Sequence, residues 1–288
     1  MSPMRFWCSL SFLDPDHWLD AARACDDAGY HGVLVADHLL FPADLASKYP
    51  YSADGTPGWD ASASWPDPFV AIAAMGAVTE RVRFCTNIYL APLRHPLVVA
   101  KSVASAAEFS NGRVALGAGV GWMREEFEAA DQDFTTRGKR TDELIEICRA
   151  LWTGHVVEYH GDHYDLDPVS MTPVPPEPIP IYVGGESEAA LRRAARNDGW
   201  IGNLLTEPEA MQQLDKLQGF REEYGTAGRA ENEVILAVSA RPDADLYQRL
   251  AAAGVTGMMC APWMGRDGSA DEVRTSIERF AEKVVSKF

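Results

Sequence analysis

The sequence predicts a (β/α)8 TIM barrel, an α/β fold, on three observations. Short apolar strands alternate with helical segments eight times along the 288 residues. The first strand, FWCSLSF, has no glycine-rich turn after it, as an open dinucleotide-binding sheet would. No break in composition marks a linker, so residues 1–288 read as a single barrel domain with insertions at about 39–66 and 155–180.

The elements follow in order. Arg5 to Ser11 reads as a strand. Asp14 then offers an N-cap and Pro15 a first-turn proline for a helix to Ala28, which Gly29 stops. Gly32 to Ala36 is a short, fully apolar strand. Asp67-Pro68 opens a helix ending near Thr79, and Arg81 to Ile88 is the third strand. His95-Pro96 opens a helix through Phe109, and Arg113 to Ala118 is the fourth strand. A short helix from Arg124 to Ala130 and a long one from Thr141 to Trp152 come next. In the second half Ile179 to Val183, Trp200-Ile201, Glu233 to Ser239 and Thr256 to Ala261 are strands. Helices cover Ser187 to Asn197, Glu207 to Tyr224, Ala244 to Ala253 and Ala270 to Val285.

The first insertion is long, turn-rich and aromatic, with Tyr49, Tyr51, Trp59 and Trp65, and reads as a lid over the C-terminal face of the barrel. The second contains a hairpin, VVEYHGDHYDLD, and a proline-rich return. His160 and His163 have no third ligand nearby, so they read as solvated hairpin residues and no metal site is expected.

With 26 basic against 42 acidic residues the net charge is −16, which argues against nucleic acid or an anionic membrane as partner. Five widely spaced cysteines in apolar settings read as reduced thiols. No apolar run is long enough to span a bilayer and no basic-then-apolar leader opens the chain, so a cytoplasmic protein is expected.

In such barrels the chemistry sits where strands end at their C-terminal edges. Those ends are Asp37-His38, Thr86-Asn87-Ile88, Gly119-Val120-Gly121-Trp122 and Gly184-Gly185-Glu186-Ser187. Alternate Gly117, Gly119 and Gly121 leave one side of the backbone bare, which admits either a flat or anionic ligand or a crowded barrel corner. Gly184 to Ser187 open a helix, whose free N–H groups suit a phosphate; Ser187 is equally a plain N-cap. Paired histidines of a metal hydrolase, a G-x-S-x-G elbow and CxxC are all missing.

The pieces VLVADHLLFP, TNIYLAPLRHP, SNGRVALGAGVGWMREEF, RGKRTDELIEICRALW and IPIYVGGES with ARNDGW, in this order, carry a resemblance. Over nearly its whole length the chain resembles the luciferase-like monooxygenase superfamily, and within it the coenzyme F420-dependent oxidoreductases. The resemblance implies a homodimer in which His38 is an acid/base or orienting donor beside the reactive ring carbon. Asp37 would fix hydrogen bonds next to it. It also implies a non-proline cis peptide, here Asn87–Ile88 after Thr86, bulging against the back of the ring. Gly119, Val120 and Gly121 would let backbone approach the cofactor, with Gly184, Gly185, Glu186 and Ser187 at its phosphate. Arg94, His95 and Lys101 are expected to anchor loops. Trp122 stands where the sugar-phosphate dehydrogenases have a carboxylate, so with Tyr51 and Trp59 it points to a flat or hydrophobic substrate.

The expected function is hydride transfer between bound F420 and a small organic, apolar or aromatic substrate. An FMN-dependent monooxygenase supplied by a separate flavin reductase is the first alternative. A non-catalytic flavin-binding protein is the second.

Overall fold

Eight parallel strands close on themselves in the computed structural model, which describes residues 4–229, 232–266 and 268–288. The barrel strands are β1 (Arg5–Ser9), β2 (Gly32–Val35), β3 (Arg83–Thr86), β5 (Val114–Gly119), β8 (Ile181–Gly184), β9 (Gly199–Leu205), β10 (Glu233–Val238) and β11 (Gly257–Cys260). The two-residue β4 (Tyr89–Leu90) also pairs with β5. Neighbours run β3-β2-β1-β11-β10-β9-β8-β5, and the circle closes where Phe84 and Cys85 pair with Val114 and Ala115.

Alternation along each strand sorts the side chains. Trp7, Leu34, Cys85, Ala115, Tyr182, Ile201 and Ile235 form the interior cluster. Outward residues such as Phe6, Val33, Phe84, Leu116 and Val183 pack under the helices. Trp7 fits inside because its flanking strands carry glycine: a Cβ on Gly32 would lie 2.2 Å from its ring, and one on Gly257 3.0 Å.

The helices are α1 (Trp18–Asp27), α2 (Pro68–Gly76), α3 (Pro96–Phe109), α4 (Arg124–Ala129), α5 (Arg137–Leu151), α6 (Glu188–Arg196), α7 (Glu207–Glu223), α8 (Ala244–Ala252) and α9 (Ala270–Lys283). Asp67, Ser187, Asp243 and Ser269 cap α2, α6, α8 and α9 with side-chain oxygens. Asp14 caps only a 3-10 turn, Pro15–His17, and α1 begins after it.

Several element bounds differ from the sequence expectation, and two of them have a clear physical reason. Helix α5 begins at Arg137, four residues before Thr141, because the Arg193 guanidinium braces its first turn through Gly138 O at 2.9 Å and Asp142. Strand β9 spans seven residues rather than Trp200-Ile201 alone. Its glycines carry low strand propensity in isolation. In the barrel they make room: a Cβ on Gly199 would meet Glu233 O at 2.5 Å, and one on Gly202 would meet the Trp200 ring at 2.8 Å.

Residues 36–67 contain no helix or strand. Strands β6 (Val157–His160) and β7 (Asp165–Val169) form the antiparallel hairpin. Glu143 on α5 holds its turn by accepting the N–H groups of Asp162, His163 and Tyr164. His160 is exposed and pairs with Asp165. No group of three or more His, Cys, Asp and Glu among the described residues is arranged to hold a metal. All five cysteines are free thiols, four of them buried. No described helix is long and apolar enough to cross a membrane.

Candidate active site

The floor of the site is built where β3 gives way to β4. The Asn87–Ile88 peptide bond is cis, and the Ile88 side chain lies across two glycines. A Cβ on Gly119 would sit 1.9 Å from Ile88 Cδ1, and one on Gly184 2.5 Å from Ile88 Cγ2. These two positions therefore make room for Ile88, which in turn offers its other side to the cavity. Gly117 is closed as well, because a Cβ there would strike Thr86 O at 1.8 Å. Of the three alternate glycines only Gly121, with φ +81°, lies on the cavity wall, next to Val120 and Trp122. Thr86 is fully buried and reaches no ligand space: its hydroxyl donates to Gly117 O and accepts from Gly117 N, each at 2.9 Å. Its part is closing the barrel.

We expect Gly119→Ala to cost about 1–3 kcal/mol of stability by overpacking against Ile88. Adding Ile88→Ala should recover most of the loss in thermal melts, since it removes the obstructing atoms.

His38 follows β2 and turns its Nδ1 to the carboxylate of Glu126, at 3.2 and 3.3 Å from the two oxygens. Glu126 lies in the first turn of α4, is fully buried, and also accepts Leu39 N at 2.7 Å. A carboxylate there makes Nδ1 the donor, so the neutral ring keeps Nε2 as its acceptor. Three indoles surround the imidazole: Trp59 and Trp65, each 5.3 Å away between centroids, and Trp122 at 6.3 Å. Tyr49 packs edge-on against both Trp59 and Trp122, at 4.9 and 5.2 Å.

The loop that supplies Tyr49, Trp59 and Trp65 is pinned to α4 at two places. Glu126 holds Leu39, and its neighbour Glu125 accepts Ala46 N at 2.8 Å and Ser47 N at 2.9 Å. Burial opposes the charge on Glu125, but the Ser47 hydroxyl and nearby backbone N–H groups outweigh it and pull the carboxyl down to about 2. A depressed folded value means the pin holds above the ordinary carboxylate pKa, 4.5 here, and is lost as pH falls from there through about 2. Pepsin cleavage within residues 39–66 should accelerate across that window. Glu125→Gln should cleave faster at its upper end and flatten the dependence.

Asp37 does not orient His38. It is buried, and its carboxylate takes both prongs of Arg94, with Nη2 at 2.9 Å, and accepts Leu90 N at 2.9 Å. Burial pushes the Asp37 carboxyl up while Arg94 pulls it back. The pair ties the end of β2 to the turn after β4, with Arg94 also lying over the Tyr89 ring at 4.4 Å. His95 caps α3 through Nδ1, and Lys101 donates to Thr172 O in the proline-rich return.

The remaining wall is the turn after β8. Gly185, with φ +110°, leads into Glu186 and Ser187, whose Oγ accepts Ala190 N at 3.2 Å. Glu186 accepts Asn203 N at 3.1 Å, and burial pushes its carboxyl up. The same carboxylate raises Tyr49 and Tyr51, although burial is the larger cause for both. All of this encloses one cavity of about 1310 Å³. Its wall includes His38, Tyr51, Asn87, Ile88, Trp122 and the Gly184–Ser187 turn.

The sequence model of the luciferase-like monooxygenases matches residues 5–284. The chain belongs to that family. This luciferase-like protein is 38% identical over 289 residues to an uncharacterised protein of Mycobacterium tuberculosis, covering 99% of this chain and 100% of the relative. It is 30% identical over 238 residues to an F420-dependent glucose-6-phosphate dehydrogenase of Nakamurella multipartita, covering 81% of this chain and 65% of that one. Its fold matches a solved F420-dependent secondary alcohol dehydrogenase holding an F420-acetone adduct, with TM-score 0.76 at 17% identity over 99% of each chain. It also matches the FMN-bound oxygenating constituent of 3,6-diketocamphane monooxygenase from Pseudomonas putida, with TM-score 0.73 at 13% identity over 100% and 99% of the chains. Membership makes the protein an oxidoreductase.

Two residues of this luciferase-like site escaped the sequence reading. Glu126 and Glu125 stand in a run of carboxylates, REEFEA, that looks like an ordinary charged first turn. The usable signal is position: they follow directly on the glycine-rich end of a barrel strand, where a helix start faces the mouth.

Proposed function

We propose that the protein transfers a hydride between coenzyme F420 and a small organic substrate of apolar or aromatic character. The observation that carries this is His38, oriented by a buried carboxylate and facing a cavity floored by the cis Asn87–Ile88 bulge. The relatives named for F420 support the choice of cofactor.

The residues suit such a group. Ile88, seated on Gly119 and Gly184, offers a flat apolar floor for a tricyclic ring. Gly184, Gly185 and Ser187 stand at the start of α6, where first-turn N–H groups receive a phosphate. Val120 and Gly121 bring backbone to the ring edge. A bound deazaflavin supplies a carbon that takes up or releases a hydride. His38 Nε2 accepts a proton from a substrate hydroxyl, or returns it to a carbonyl oxygen in the opposite direction, while Glu126 holds Nδ1. Trp59, Trp65 and Trp122 exclude water and pack against an apolar substrate.

A second reading, an FMN-dependent monooxygenase fed by a separate reductase, draws on the FMN-bound structure of the same fold. Equilibrium titration of the apo-protein with F420 and with FMN separates the two. We expect F420 to bind more tightly, without oxygen uptake. Tighter FMN binding, with oxygen consumed when reduced FMN is supplied, would replace the first reading by the second.

A further inference from the structure

Away from the aromatic lid, the cavity runs past the ends of β10 and β11 to α9, and there its wall becomes cationic. Arg241 follows β10, Arg266 lies in the turn after β11, and Arg279 and Lys283 stand one turn apart on α9. Among the described residues Arg241, Arg279 and Lys283 form no ion pair, and Arg266 reaches Glu272 only at 3.8 Å. On α9 the groove against α1 takes Asp271, Arg274, Glu278 and Glu282, whereas Arg279 and Lys283 line the cavity. This cationic wall occurs in a chain of net charge −16. Among the described residues only two acids share the cavity wall: Asp37, held by Arg94, and Glu186, back at the end of β8.

We propose that this arm holds the oligo-carboxylate tail of the deazaflavin cofactor, an inference that rests on the F420 reading above. Strands β8, β9, β10 and β11 are consecutive neighbours in the barrel, so the arm continues the same rim that begins at the Gly184 turn. A ligand with its phosphate at that turn and a chain of glutamates beyond it would extend along this rim. FMN ends at its phosphate and an apolar substrate carries no charge, so neither has a group for these cations. Each exposed pair contributes little alone, and several together set a modest, salt-sensitive preference.

The test is titration, followed by deazaflavin fluorescence, of wild type and of the Arg279→Gln/Lys283→Gln variant. Each is titrated with long-tailed and tail-truncated F420, at low and at high salt. In wild type at low salt the long tail should bind about tenfold more tightly. The preference should shrink to about threefold in the variant, which keeps Arg241 and Arg266, and vanish at high salt, while the truncated form binds both proteins equally. Both side chains are exposed, so the variant should keep the wild-type melting temperature. Equal affinities in wild type at low salt, or a preference undiminished by the double substitution, would overturn the assignment of the arm and leave the F420 reading standing. Failure of both F420 forms to bind would remove that reading and this inference together.

Discussion

Replacing His38 by alanine should lower turnover by about 10²–10⁴-fold, the range for loss of a positioned general acid or base. Affinity for F420 should stay within a few-fold of wild type, because the floor and the phosphate turn are untouched. The measurement is F420 absorbance during turnover of a panel of apolar and aromatic alcohols and ketones, alongside a binding titration of the same variant. His38 has no structural duty comparable to that of its neighbour: its contacts are the Glu126 carboxylate and the indole faces. A variant that binds F420 and turns over at the wild-type rate would remove His38 from the chemistry. It would also favour a protein that only carries flavin.

The second large effect falls on Glu126 and separates two roles in one side chain. Glu126→Ala removes the acceptor for His38 Nδ1 and for Leu39 N in a fully buried place. Stranding those donors should cost about 2–4 kcal/mol. The melting temperature should fall by roughly 5–10 °C. Turnover should fall nearly as far as in His38→Ala, because the imidazole is no longer held in one tautomer. Glu126→Gln keeps an oxygen for Leu39 N but not a negative charge for the imidazole. It should therefore recover most of the stability and little of the activity. If the amide restored turnover together with stability, Glu126 would be only a clasp for the lid.

These effects concern residues of very different legibility. His38 could be named from the chain alone, because it ends a short apolar strand and sits in a recognisable string, VLVADHLLFP. Its partner could not be. The sequence neighbour Asp37 looked like the natural choice, yet successive residues of an extended segment point to opposite sides. Asp37 therefore turns to Arg94, while His38 meets a carboxylate 88 residues further along the chain. The aromatic loop was legible as a lid from Tyr49, Tyr51, Trp59 and Trp65. Its fastening to Glu125 and Glu126 was not, because those bonds join backbone N–H groups, which have no signature in the residue letters.

The glycines show the same division. Their alternation before Trp122 marked a close approach of some kind. What approaches at Gly117 and Gly119 is the protein itself, Thr86 O and Ile88, and the ligand space begins only at Gly121. Likewise Gly199 and Gly202 have low strand propensity, yet they belong to β9 because close packing inside the barrel requires them.

By itself the sequence determined the alternation of strands and helices, some of the helix caps, and the strand ends where chemistry collects. Each of these follows from local periodicity and from the conformational habits of Asp, Ser, Pro and Gly. The tertiary structure alone decided which carboxylate faces His38, which glycines are filled from within, and that four cations from three separate segments share one wall of the cavity. Those are contacts between residues tens to hundreds of positions apart, and closure of the barrel is what brings them together.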